Sequence, residues 1–149
     1  MADSTTDPAM HPAKLAGEKS RDAVARGDRA AWLALWAEDA CIEDPVGVSA
    51  LDPTGKGHRG PEAIAAFWDS VIKRDPRMQT SFDYHTQYAV GDECACVGHL
   101  TQHFPDGSSF LVNGVFVYRV NDAGKLLSLR TYWRMQDGVF TKGKAGSAG

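Results

Sequence analysis

The sequence predicts an α+β domain in which N-terminal helices pack on the concave face of a curved antiparallel sheet, forming a cone with one apolar pocket. Three observations carry that expectation. The first half of the chain alternates helical apolar spacing with helix start and stop residues. The second half holds four β-like runs separated by short turn sequences. Between the halves runs a Pro- and Gly-rich connection, longer than a small domain needs for joining two elements and therefore functional or mobile. A cone open at one end is where small-molecule sites form.

The elements follow in order. From Pro12, residues Leu15, Ala16, Ala23 and Val24 share a helical face, and Gly27 stops the helix. Asp28 then serves as N-cap for a second helix over 29–38, whose Trp32, Leu33, Leu35 and Trp36 bunch towards a core. A short strand over 40–43 ends at Pro45, and the long connection spans 47–60. Pro61 suits the first position of a third helix, and Glu62 complements its positive end. Its apolar stripe is Ile64, Phe67, Trp68, Val71 and Ile72. The β-like runs cover 79–90, 93–104, 108–120 and 125–136, and the turns Gly91-Asp92, Pro105-Asp106-Gly107 and Asn121-Asp122-Ala123-Gly124 make them antiparallel hairpins. One domain over 12–141 results, with mobile segments at 1–11 and 142–149.

Composition narrows the function classes. With 149 residues, 43% hydrophobic, 23% charged and a net charge of −3, the chain reads as an ordinary globular domain. No basic cluster suits nucleic acid, so none is expected as a partner. No run approaches the ~20 apolar residues of a membrane span, and the N-terminus lacks a secretory pattern, so a cytoplasmic location without membrane partner is expected. Cys41, Cys94 and Cys96 form no zinc spacing and read as buried small hydrophobes. His99 and His103 lie roughly 13 Å apart along one strand at ~3.3 Å per residue, too far to share a metal ion. Gly55-Lys56-Gly57 lacks the remaining residues of a phosphate loop. Neither metal nor organic cofactor is therefore expected.

Cys41-Ile42-Glu43-Asp44-Pro45-Val46-Gly47 resembles the Δ5-3-ketosteroid isomerases of the nuclear-transport-factor-like superfamily. Supporting matches run in order from about residue 21 to 133: Ala25-Arg26-Gly27-Asp28, Trp36-Ala37-Glu38-Asp39-Ala40, Gly60-Pro61-Glu62-Ala63-Ile64-Ala65-Ala66-Phe67-Trp68 and Asn121-Asp122-Ala123-Gly124-Lys125. Residues 43–68 and 114–133 also look like a mycobacterial-type branch of steroid-binding, isomerase-like proteins, which carries the same long connection. The resemblance implies that Asp44 is the general base, that the ligand is a small steroid-like molecule, and that the protein is a homodimer. Chemistry agrees with that role: an isomerisation of a β,γ-unsaturated ketone needs one base that keeps and returns a proton. Pro45 biases Asp44 towards an extended backbone, and Glu43 should face away, leaving one pocket carboxylate.

The family's two oxyanion donors, a tyrosine and a protonated aspartate, correspond to Ser20 and Phe116, so both are absent as such. Trp68, Tyr118 and Thr131 are the remaining polar candidates, and Phe67, Trp68, Phe116, Tyr118 and Trp133 are the expected apolar walls. The leading expectation is proton transfer on a steroid or similar polycyclic ketone, with weak turnover. Its rivals are a polyketide cyclase or dehydratase on the same scaffold, and a module that binds a hydrophobic ligand without turnover.

Overall fold

The computed structural model describes residues 11–143, so the expected mobile segments 1–11 and 142–149 lie outside the described residues except for His11, Lys142 and Gly143. The elements are α1 (Pro12–Arg26), α2 (Arg29–Leu33), β1 (Trp36–Glu43), β2 (His58–Arg59), α3 (Gly60–Phe67), β3 (Gln79–Val90), β4 (Glu93–His103), β5 (Ser109–Val120), β6 (Leu126–Tyr132) and β7 (Val139–Thr141).

His11 belongs to the folded part, because its ring Nδ1 accepts from the Ala13 amide at 3.1 Å and caps α1. Gly27 closes the helix at φ 70°, a conformation that costs a residue without Cβ little, and its amide reaches the Val24 carbonyl at 3.0 Å. Asp28 opens α2 by accepting from the Ala31 amide at 3.0 Å.

Helix α2 is only five residues long, where the spacing predicted a helix over 29–38. The reason is tertiary. The Leu35 carbonyl accepts from the Leu126 amide at 2.8 Å, and Trp36 pairs with Leu126, so the backbone leaves the helix to join β6. Strand β1 consequently starts at Trp36 instead of residue 40, with a bulge between Trp36 and Cys41. Trp32 stays in the core, its ring 5.3 Å from that of Trp36 and 5.2 Å from that of Trp68.

The strands form one curved sheet in the order β2-β1-β6-β5-β4-β3, with β7 added beside β5. The pairs β3–β4, β4–β5 and β5–β6 are antiparallel, as their turns demand. The pair β1–β6 is parallel, which makes the sheet mixed. Strand β7 and the turn Met135–Asp137 take up chain beyond Tyr132, where the sequence pattern extended one strand to residue 136.

Bending of the sheet has a local cause. Gly98 and Gly114 face each other across β4 and β5. A Cβ on Gly98 would stand 2.1 Å from the Asp83 carbonyl oxygen, and one on Gly114 would stand 2.4 Å from that of Tyr132. A bulge between Asp83 and Thr86 lies on the strand opposite Gly98. Glycines and a bulge at one level let the strands close in and turn.

Helices cover the concave face, and the core joins Ala13, Ala16 and Val24 of α1 to Cys94, Cys96, Phe116 and Tyr118 of the sheet. All three cysteines are buried and free, as their composition suggested. The connection 47–60 is folded around Asp52, whose buried carboxylate accepts from the Gly57 amide at 2.8 Å, the Gly55 amide at 3.2 Å and the Thr54 hydroxyl at 3.2 Å. Helix α3 runs on into one wide π turn over Trp68–Ile72, where the Lys73 amide reaches the Trp68 carbonyl at 2.8 Å. Among the described residues no helix is long and apolar enough to cross a membrane.

Candidate functional site

A cavity of about 210 Å³ lies between the helices and the bent sheet. Asp44 borders it, and the register explains how. Glu43 pairs with Arg130 in the parallel β1–β6 ladder, so the next residue on each strand, Asp44 and Thr131, come side by side on the inner face. Glu43 points outwards and pairs with Arg130 at 2.9 Å, which leaves Asp44 as the one carboxylate lining the cavity among the described residues.

The Asp44 carboxylate is held on one oxygen. Oδ1 accepts from the Thr131 hydroxyl at 2.5 Å and from the Trp133 indole at 3.1 Å, and that indole also reaches Thr131 Oγ1 at 2.9 Å. Oδ2 has no hydrogen-bond partner among the described residues, so it is the oxygen available to a ligand. Burial pushes the Asp44 carboxyl above the usual carboxylate range, and the bonds from Thr131 and Trp133 with the nearby His58 ring act against that rise. A carboxylate fixed in direction and raised in basicity can take a proton from a carbon acid and return it.

Ser20, Phe67, Phe116, Tyr118, Thr131 and Trp133 all line the cavity with Asp44. Trp68 does not: it is 3% exposed and packs in the core with its ring 5.2 Å from that of Trp32. Ser20 is buried and its Oγ accepts from the Trp32 indole at 3.1 Å. Phe116 is buried and stacks on Tyr84 with ring centroids 4.6 Å apart. Thr131 spends its hydroxyl proton on Asp44, so it is a positioning residue.

Sequence reasoning missed three groups. Arg21, beside Ser20 on α1, and Tyr84 on β3 both line the cavity. The Arg21 guanidinium carbon lies 4.9 Å from the Tyr84 ring centre and 5.4 Å from that of Tyr118. Alternation along β3 could have found Tyr84 with Phe82, but nothing local shows that Arg21 turns inwards. His58 packs at a tilt against Phe67 with ring centroids 4.9 Å apart, and its Nε2 is buried without a partner among the described residues. Burial raises the Tyr84 phenol far above its ordinary value and moves that of Tyr118 to about 12, so both remain neutral donors. No cluster of three metal-ligating side chains occurs among the described residues.

The steroid Delta-isomerase of Nocardioides simplex is 30% identical over 128 residues, which is 86% of this chain and 94% of that protein. The crystal structure of a Delta 5-3-ketosteroid isomerase from Mycobacterium sp. has 39% identity and a TM-score of 0.79, covering 87% of this chain and 98% of its own. A Mycobacterium tuberculosis protein solved in complex with estradiol-17beta-hemisuccinate has 38% identity and a TM-score of 0.78, covering 87% and 98%. The SnoaL-like domain matches residues 18–129, the stretch that builds helices, sheet and cavity alike, and the chain belongs to that family.

Proposed function

We propose that the protein binds a flat steroid-like ketone in this cavity and that Asp44 moves a proton between two of its carbons, as in a steroid Δ5-isomerase. The observation that carries this reading is the Asp44 carboxylate, anchored through Oδ1 and open at Oδ2 in an apolar cavity. Phe67, Phe116, Tyr118 and Trp133 would clasp the ring system, and burial of apolar surface supplies most of the affinity at roughly 25 cal/mol per Å². Thr131 and Trp133 hold the base where it can reach both carbons. The likeness to the steroid isomerases supports the substrate class.

Turnover is expected to be weak. Phe116 has no polar group, and Ser20, held against the Trp32 indole, offers only an aliphatic hydroxyl, a weaker donor than a phenol, so neither position supplies the strong donor of the efficient isomerases. Loss of one preorganised donor commonly costs about 10²–10³ in rate. The same observation favours a second reading, binding without turnover. Following the absorbance of a 3-oxo-Δ5 steroid as it becomes conjugated separates the two. The expected result is slow conversion that falls by about 10²–10⁴ in Asp44→Asn while steroid binding persists. Full activity in a folded Asp44→Asn protein would remove Asp44 from the chemistry.

A further inference from the structure

We propose that Arg21 is the anchor for a carboxylate on the ligand, so that the cavity prefers acidic polycyclic ligands to neutral ones of the same shape. This rests on the cavity being the ligand site. Arg21 is partly buried and lines a cavity whose other walls are mostly aromatic and aliphatic. Among the described residues it has no carboxylate partner, whereas Arg26, Arg29, Arg77, Arg119, Arg130 and Arg134 each have one.

The neighbours of its guanidinium do not replace a counter-charge. Nη1 lies 3.8 Å from Cys96 Sγ, and the Tyr84 and Tyr118 rings stand beside it. Contact with Cys94 and burial push the Cys96 thiol well up, so Cys96 remains neutral. Cys94 is drawn down to about 7 by its hydrogen bond with Cys96 and by the charge of Arg21, but Arg21 contacts Cys96 and not Cys94. Burial works against the charge of Arg21, yet Tyr118 and its surroundings keep it a cation. Aromatic faces offset only part of the cost of taking a cation out of water. A ligand carboxylate would supply the missing charge and match the planar fork with two parallel hydrogen bonds.

The position is built rather than accidental. Gly17 stands one helical turn before Arg21, and a Cβ there would lie 3.0 Å from the Tyr118 ring and 3.2 Å from Arg21 Nη1. Its missing side chain is the space into which the guanidinium and the phenol ring fit. Arg74 also borders the cavity but is exposed, so water already solvates its charge.

The test compares 3-oxoandrost-4-ene-17β-carboxylic acid with its methyl ester at pH 7.5, by titration of intrinsic fluorescence. The acid should bind at least tenfold more tightly than the ester. Arg21→Met should erase that preference while keeping the affinity for the ester, which shows that the variant is folded. Arg21→Lys should keep part of the preference, and Arg74→Gln and Cys94→Ser should keep all of it. Equal binding of acid and ester by the parent protein overturns the inference and leaves the cavity reading intact. So does a preference that survives in Arg21→Met or vanishes in Arg74→Gln. If neither compound binds at its solubility limit, the cavity reading fails and this inference with it.

Discussion

Replacing Asp44 by asparagine should stabilise the protein at neutral pH while disabling its chemistry. Burial holds the folded carboxyl above its ordinary value of 3.8, so the folded state binds that proton more tightly than the unfolded chain. Stability from this group is therefore greatest below pH 3.8 and is lost as pH rises through the folded value. An asparagine escapes the loss. Its Oδ1 can accept from Thr131 and Trp133 as the aspartate does, and its amide nitrogen would face the cavity. For each unit that the folded value exceeds 3.8, the charge costs about 1.4 kcal/mol at neutral pH. At this chain length that corresponds to roughly 3–5 °C of melting temperature. Melting curves of parent and Asp44→Asn from pH 3 to 8 read the effect, because titrating groups that do not interact with Asp44 cancel in the difference. The variant should melt higher at pH 7.5, and the gap should close in acid. A variant that melts lower at pH 7.5, with a deficit that shrinks in acid, would mean that the donors and His58 outweigh burial and would refute the reasoning.

Two further perturbations probe the groups around it. Thr131→Val removes the shortest hydrogen bond to Asp44 Oδ1, of a kind that contributes about 1.5–3 kcal/mol when one partner is charged, so the ascending limb of the pH–rate profile should move to higher pH. An unmoved limb would separate Thr131 from the base. Asp52→Ala strips three acceptor contacts from the connection 47–60 and should lower stability by about 1–3 kcal/mol, with new protease cleavage between residues 47 and 57. Unchanged protection of that segment would show that β2 alone holds it.

Local chemistry made much of the fold legible. Gly27 and Asp28 mark a helix end and a helix start because each satisfies backbone groups within three or four residues of itself. Strand β3 begins and ends where the turn residues put it. What was not legible depends on partners distant in sequence. The early start of β1 is decided by the Leu126 amide, some ninety residues on, and a helical spacing of Trp32, Leu33, Leu35 and Trp36 cannot register it. Strand β7 is three exposed residues that hold together only along β5. In the site, Asp44 was readable from the residues around it, and Thr131 and Trp133 from their shared face. Trp68 was misplaced because a helical apolar stripe does not separate residues that face a cavity from those packed in the core behind it. Arg21 was missed because an arginine on a helix ordinarily faces water, and the space beside Gly17 that admits its guanidinium is bounded by Tyr118, from a strand distant in sequence.

The parallel pairing of β1 with β6 also bears on the order in which the molecule assembles. Strands β3 to β6 meet their neighbours through short turns and can zip together early. Strand β1 must instead find β6 across the whole intervening chain, a loop closure whose entropy is recovered only when the last pairing forms. Asp44 is 87 residues from Thr131 and 89 from Trp133, so the site comes into being only with that closure. A ligand seated against Asp44 would then bridge the latest-formed seam, and should act chiefly on the unfolding rate, leaving the folding rate almost unchanged.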